Sequence, residues 1–188
     1  MKDLTQKCTM LLGLLSAQRC QTIHLIKVSN IKFYENKMVI GIMDNLKQTK
    51  IGIKNPILQF EKYERDIRLC VVETAETYLS RTECVRKDDQ LLLSYCKPHR
   101  AVSKATISRW IREVMNMSGI DTNVFGAHSI RGAASSAAAS SGVPVEIILN
   151  TAGWTNANTF ATFYQRNVVT QDGSPSVCST IQSGSLSN

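Results

Sequence analysis

The sequence predicts an α+β domain, mostly α, with one small antiparallel sheet near the amino-terminal side. Three observations predict it. Apolar residues recur at helical spacing over most of the chain, a strand-turn-strand pattern occurs only in the early part, and Gly and Pro punctuate the helical stretches. At 188 residues the chain is one domain, or one domain with a tail. A chain of this size buries about 70% of the surface its unfolded form exposes, enough for a core.

The elements follow in order. Residues 2–16 place Leu4, Cys8, Leu11, Leu12 and Leu15 on one face of a helix. A turn at Arg19 precedes a short helical stretch from Gln21 to Ile26. Ile31 and Phe33, then Met38, Val39, Ile40 and Ile42, flank Glu35-Asn36-Lys37 and read as strand, polar turn and strand. Residues 44–50 are polar, and Ile51, Ile53 and Ile57 resume an apolar edge, with Pro56 closing the sheet or lying on its edge. Tyr63 to Leu79 reads as helix, and Leu91 to Tyr95 as a brief extended segment. Ser103 is the expected N-cap of a helix that runs to about Met117 and ends at Gly119. Arg131 to Ser141 is an Ala and Ser run capped by Gly142, and Pro144 opens Val145 to Asn150. A last helix is expected from about Asn156 to Arg166, followed by a serine-rich tail, 168–188, whose polarity predicts disorder.

Composition narrows the class. With 43% hydrophobic and 20% charged residues, the chain reads as an ordinary soluble globular protein. Its net charge of +7 favours polyanionic partners, because phosphates neutralised by Lys and Arg release counterions. Cys8, Cys20, Cys70, Cys84, Cys96 and Cys178 form no C-x-x-C pair, which argues against a zinc module or redox motif and for a reducing compartment. Lys2 and Lys7 before the run Met10–Leu15 imitate a signal peptide, but the run is short and follows Asp3. No segment reaches a membrane span, so a soluble intracellular protein is expected.

Three features carry chemistry. His128 and Arg131 stand three apart, on one face of a helix. Gly153-Trp154 marks a tight turn, with Tyr164 ten residues beyond Trp154. Arg19 interrupts an apolar stretch, where a buried charge is costly without a partner. Each has an ordinary structural explanation: a surface pair, core aromatics with partnered tips, an arginine at the core's edge. Their combination points elsewhere. Two guanidinium forks suit the charge of a phosphodiester transition state, and donors aimed at that charge are usually the largest catalytic effect. A tyrosine hydroxyl, with a pKa near 10, needs help to act as a nucleophile, which a histidine network supplies. A lysine can protonate the departing 5′ oxygen. Two Arg, a His, a Lys and a Tyr suffice for metal-free phosphoryl transfer.

The ordered residues Arg19, Lys47, His128 with Arg131, Trp154 and Tyr164 resemble the tyrosine recombinase, or phage integrase, pattern. The stretches 17–25 (AQRCQTIHL), 102–110 (VSKATISRW), 127–133 (AHSIRGA), 152–154 (AGW) and 159–166 (TFATFYQR) resemble recombinases of eukaryotic DIRS- or Crypton-like transposable elements. The likeness covers residues 5–167 and implies a tyrosine recombinase catalytic domain over 1–167, with the amino-terminal DNA-clamp domain absent.

It also implies roles. Arg19 and Arg131 would hold the scissile phosphate, and His128 would assist proton transfer or hold a phosphate oxygen. Lys47 would be the general acid, with Lys50 the second candidate in the same polar turn. Trp154 would offer its indole N–H where many relatives place a second histidine. Tyr164 would attack, forming a 3′-phosphotyrosine that a second DNA end resolves without ATP, metal or cofactor. Lys50, Lys104 and Arg109 are candidate DNA contacts, although a solvated face explains Lys104 and Arg109 equally well. Thr22 stands where many relatives have a carboxylate three residues after the first arginine.

The implied partners are double-stranded DNA and further copies of the chain assembled on it, in the nucleus, with no membrane and no small-molecule substrate. A decayed or domesticated DNA-binding module is the alternative reading, and a type IB topoisomerase a third.

Overall fold

The computed structural model describes residues 1–43 and 57–153, and within them the expected mostly helical architecture with a three-stranded antiparallel sheet is present. Helix α1 (Lys2–Ser16) is the central element and packs against α3 (Val71–Thr82), α4 (Lys104–Met117) and α5 (Ser129–Ser140). Helix α2 (Cys20–His24) follows α1 after a three-residue break and lies on α4, while α6 (Val145–Ala152) packs on α5. Cys8, Leu12, Leu15, Ile23, Ile107, Ile111 and Ile130 bring four of these helices into one buried core.

The sheet has the order β1 (Ile31–Phe33), β2 (Lys37–Gly41), β3 (Ile57–Glu61). Met38 pairs with Phe60 and Ile40 with Leu58, and all four are buried. Alternate residues of a strand point to one face, so the pattern buries one side of the sheet and leaves Gln59 and Ile57 on the other. The positions expected to continue its edge, Ile51, Ile53 and Pro56, lie outside the described residues.

One helix begins later than the spacing of apolar residues predicts. Residues 63–70 are not α-helical: Asp66 accepts from the backbone N–H of Arg68 at 2.9 Å and from its guanidinium at 2.8 Å. Such a local side-chain turn competes with helix formation. The chain makes a single 3-10 turn at 67–69, and α3 starts at Val71 and runs on to Thr82.

The other boundaries follow from local chemistry. Ser103 accepts from the N–H of Thr106 at 3.3 Å, capping α4 as expected. At its far end Gly119 takes φ +79°, and the N–H groups of Gly119 and Ile120 donate to Asn116 and Met115. Gly142, at φ +81°, ends α5 in the same way, with Val143 donating to Ala138. Both are helix stops in which a left-handed residue satisfies two of the final carbonyls.

The expected extended segment around Leu91–Tyr95 is also present. Leu91 donates to Ile26, Leu93 bridges to Ala101, and the buried Tyr78 hydroxyl accepts from the Leu93 N–H at 2.9 Å. Tyr95 stacks on buried Trp110 with ring centroids 5.2 Å apart, fastening this segment to α4. The five described cysteines are free thiols, and burial pushes Cys8 up to about 12, which makes it an inert core group.

A close helix approach lies at Gly13. A Cβ there would lie 2.7 Å from the Ile130 Cδ1, with Ile23 and Ile111 just behind. Gly13→Val should therefore overpack the junction of α1 and α5 and cost roughly 2–3 kcal/mol. Thermal unfolding should show Tm lowered by roughly 5–10 °C. An unchanged Tm would mean that the two helices separate without penalty.

Candidate active site

Three segments meet at one place. Ala17, Ala134 and Ala152 form a buried cluster of small side chains, from the end of α1, the second turn of α5 and the end of α6. Large residues at these points would hold the helices apart. Ala17 is in the left-handed conformation at φ 50°, which turns the chain out of α1 and delivers Arg19 two residues later. Arg19 is extended (ψ 151°) and caps α2, its carbonyl accepting from Thr22 and Ile23. Its side chain is exposed. The charge that interrupts an apolar stretch in the sequence is thus presented to solvent, because the break places it beyond the apolar face.

Thr22 is 3% exposed. Its amide donates to the Arg19 carbonyl at 2.8 Å, so backbone geometry orients this turn.

The buried cation is Arg131, only 5% exposed, in the first turn of α5 and one turn before Ala134. A cation there lies near the positive end of the helix dipole, an arrangement that weakens the helix and favours an approaching anion. His128 is the N-cap of α5, one residue outside the helix on which sequence spacing places it. Its carbonyl accepts from the Arg131 N–H at 3.2 Å, so the two residues share one turn. The His128 ring is exposed and lies over Gly126, where a Cβ would come within 3.0 Å of Nδ1. A side chain at position 126 would press on the ring, which would have to give by a few tenths of an ångström.

Gln18 lies within the stretch 17–25 that resembles recombinases, which implies no role for it. It is 4% exposed, and its Nε2 donates to the carbonyl of Thr151 in the last turn of α6. Apart from that stretch, its signal is a polar residue inside an apolar run. Gly153, at φ +64°, ends α6 where the tight turn is expected.

The structure thus brings together the segments carrying Arg19, His128 and Arg131 with the end of α6. Lys47, Lys50, Trp154 and Tyr164 lie outside the described residues. Lys104 and Arg109 are both exposed on α4, but five residues apart puts them about 140° from one another around a helix. Arg109 faces Glu113 at 3.6 Å, and Glu113 in turn accepts from Gln6 of α1 at 2.6 Å. Arg109 therefore has a structural partner, and Lys104 stands apart from it.

Solved structures identify this arrangement as the tyrosine recombinase catalytic-domain fold. The XerH site-specific recombinase bound to palindromic difH substrate, in a post-cleavage complex, is 15% identical with a TM-score of 0.64, covering 82% of this chain and 40% of that one. XerA recombinase is 17% identical with a TM-score of 0.63, over 89% and 60%. A lambda integrase dimer bound to a COC′ core site is 17% identical with a TM-score of 0.57, over 89% and 45%. The chain thus spans between 40% and 60% of the length of these structures. The phage integrase family matches residues 1–169, and the chain belongs to that family. No curated protein matches it.

Proposed function

We propose that this chain is a recombinase catalytic domain that breaks and rejoins double-stranded DNA through a covalent 3′-phosphotyrosine at Tyr164. The observation that carries this reading is the buried Arg131 in the first turn of α5. It shares that turn with His128 and lies one turn before Ala134, which meets Ala17 and Ala152 in one buried cluster. Arg19 and Arg131 hold the non-bridging oxygens of the scissile phosphate, and His128 assists proton transfer. The Tyr164 oxygen forms a bond to phosphorus as the bond to the 5′ oxygen breaks, and Lys47, or Lys50, protonates the departing 5′ hydroxyl. Trp154 donates its indole N–H to the phosphate. A second 5′ hydroxyl then attacks the phosphotyrosine, restoring the diester and the tyrosine, so the bond energy is conserved and no cofactor is consumed.

XerH and lambda integrase were solved on DNA, the latter as a dimer, and by likeness this chain works as an assembly on duplex DNA. Its motifs favour a recombinase of a eukaryotic DIRS- or Crypton-like transposable element, acting in the nucleus. The domain occupies 1–167, and 168–188 is its tail. Among the described residues no helix is long and apolar enough to cross a membrane.

The test is a covalent-adduct assay. Incubated with nicked duplex DNA, the chain should yield a protein–DNA band stable to SDS, and mass spectrometry should locate the nucleotide on the peptide carrying Tyr164. Binding at low salt should weaken steeply as salt rises, as counterion release requires. Salt-sensitive binding with no adduct on any nicked substrate would overturn the enzymatic reading in favour of a binding module. Relaxation of plasmid by a monomer would instead indicate a topoisomerase.

A further inference from the structure

We infer that Gln18 is a positioning residue that locks the Arg19 turn to the end of α6, holding the two sides of the candidate site in register. This rests on the proposed function for its catalytic consequence, although the lock itself is a property of the fold. Gln18 stands between Ala17, in the left-handed conformation, and the extended Arg19, so its side chain leaves the helix face and turns inward. It is 4% exposed, and its own N–H donates to the Ser16 hydroxyl at 3.3 Å.

The amide Nε2 donates to the Thr151 carbonyl, 133 residues away in sequence. It is one of the last four carbonyls of α6, which have no N–H partner within the helix itself. The capping N–H of Gly153 goes to Asn150 and Leu149 instead. A Cβ on Gly153 would lie 4.0 Å from the Gln18 Nε2, so the amide also packs beside the turn itself. The surrounding packing is methyl against methyl, between Ala17, Ala134 and Ala152, which closes the gap without fixing a direction. A hydrogen bond is directional, and this one supplies the orientation that small apolar contacts lack.

Arg19 is the next residue after Gln18. Trp154 follows Thr151 by three and Tyr164 by thirteen. Any shift between the Arg19 turn and the end of α6 therefore alters how a phosphate held at one side meets groups carried by the other. Misplacement by about 1 Å far from the chemistry is enough to cost roughly a hundredfold in rate.

The experiment compares the full chain with Gln18→Met, which keeps length and burial and removes the donor. Hydrogen exchange should become roughly tenfold faster in peptides covering 16–20 and 147–153, and stay within about twofold in α3 and the sheet, because loss of one partly buried bond loosens a local unit. On nicked DNA, the adduct rate at saturating protein should fall roughly five- to twentyfold while the dissociation constant stays within about twofold, as expected when orientation rather than binding is lost. Unchanged exchange in both segments would overturn the lock. So would a uniform rise across the chain, which would make Gln18 ordinary core support. If the wild-type chain forms no adduct at all, the proposed function fails, and the exchange pattern still decides the lock.

Discussion

Tyr164→Phe should abolish the covalent protein–DNA adduct completely while leaving DNA affinity within about twofold, since one hydroxyl contributes little to phosphate-driven binding. The substitution removes a single oxygen and keeps the ring, so packing changes little. A nucleophile differs in kind from an assisting group. Without it no phosphotyrosine can form, whereas loss of an assisting donor slows the step by a finite factor. The measurement is an SDS-resistant band on a denaturing gel, read beside fluorescence anisotropy on the same duplex at low salt. An adduct of undiminished yield from Tyr164→Phe would reassign the nucleophile, with Tyr34, Tyr63 and Tyr95 the tyrosines next to test. Tyr78 is excluded, because its hydroxyl is buried against the Leu93 backbone, and burial holds it above the usual phenol range. Loss of both adduct and binding would point to collapse of the domain.

Much of the fold is legible in the sequence because its signals are local. Ser103, Gly119 and Gly142 bound their helices through hydrogen bonds that reach three to five residues, and such signals survive in a one-dimensional reading. The start of α3 departs from expectation for a related reason. The apolar spacing extends back to Tyr63, but the Asp66 carboxylate competes locally for the backbone, and periodicity cannot register that competition.

The site is legible in residue type and order, and less so in environment. Sequence places Arg19 in an apolar stretch without saying which arginine is buried, and the structure exposes Arg19 and buries Arg131. Which arginine is buried depends on how three helices meet at Ala17, Ala134 and Ala152, and no spacing rule encodes a meeting of segments so far apart. His128 is expected within a helix and instead caps it, a difference of one residue that places its ring over Gly126. Gln18 escapes a sequence reading because its partner is a backbone carbonyl, which every residue possesses and which therefore leaves no mark in sequence.

Arg131→Met separates the two things a buried arginine can do, stabilise a fold or hold a ligand. Methionine fills much the same volume in an adaptable way, so the core around Ala134 stays packed. It also removes a cation from the first turn of α5, where the helix dipole opposes it by roughly 0.3–1 kcal/mol. The variant should therefore melt within about 5 °C of wild type, since relief of that opposition partly offsets the interactions the guanidinium makes. Adduct formation should fall by about a thousandfold, because one donor to developing charge is commonly worth a hundred- to a thousandfold and the guanidinium supplies two. Arg131→Lys restores the charge without the planar fork and should recover only part of the rate, leaving it roughly a hundredfold down. That ordering, with Arg far above Lys and Lys above Met at nearly constant Tm, is the pattern of an oriented phosphate ligand. If Tm collapses in Met while any folded fraction retains adduct activity within tenfold of wild type, then Arg131 serves the core, and the phosphate must be held from the Arg19 side.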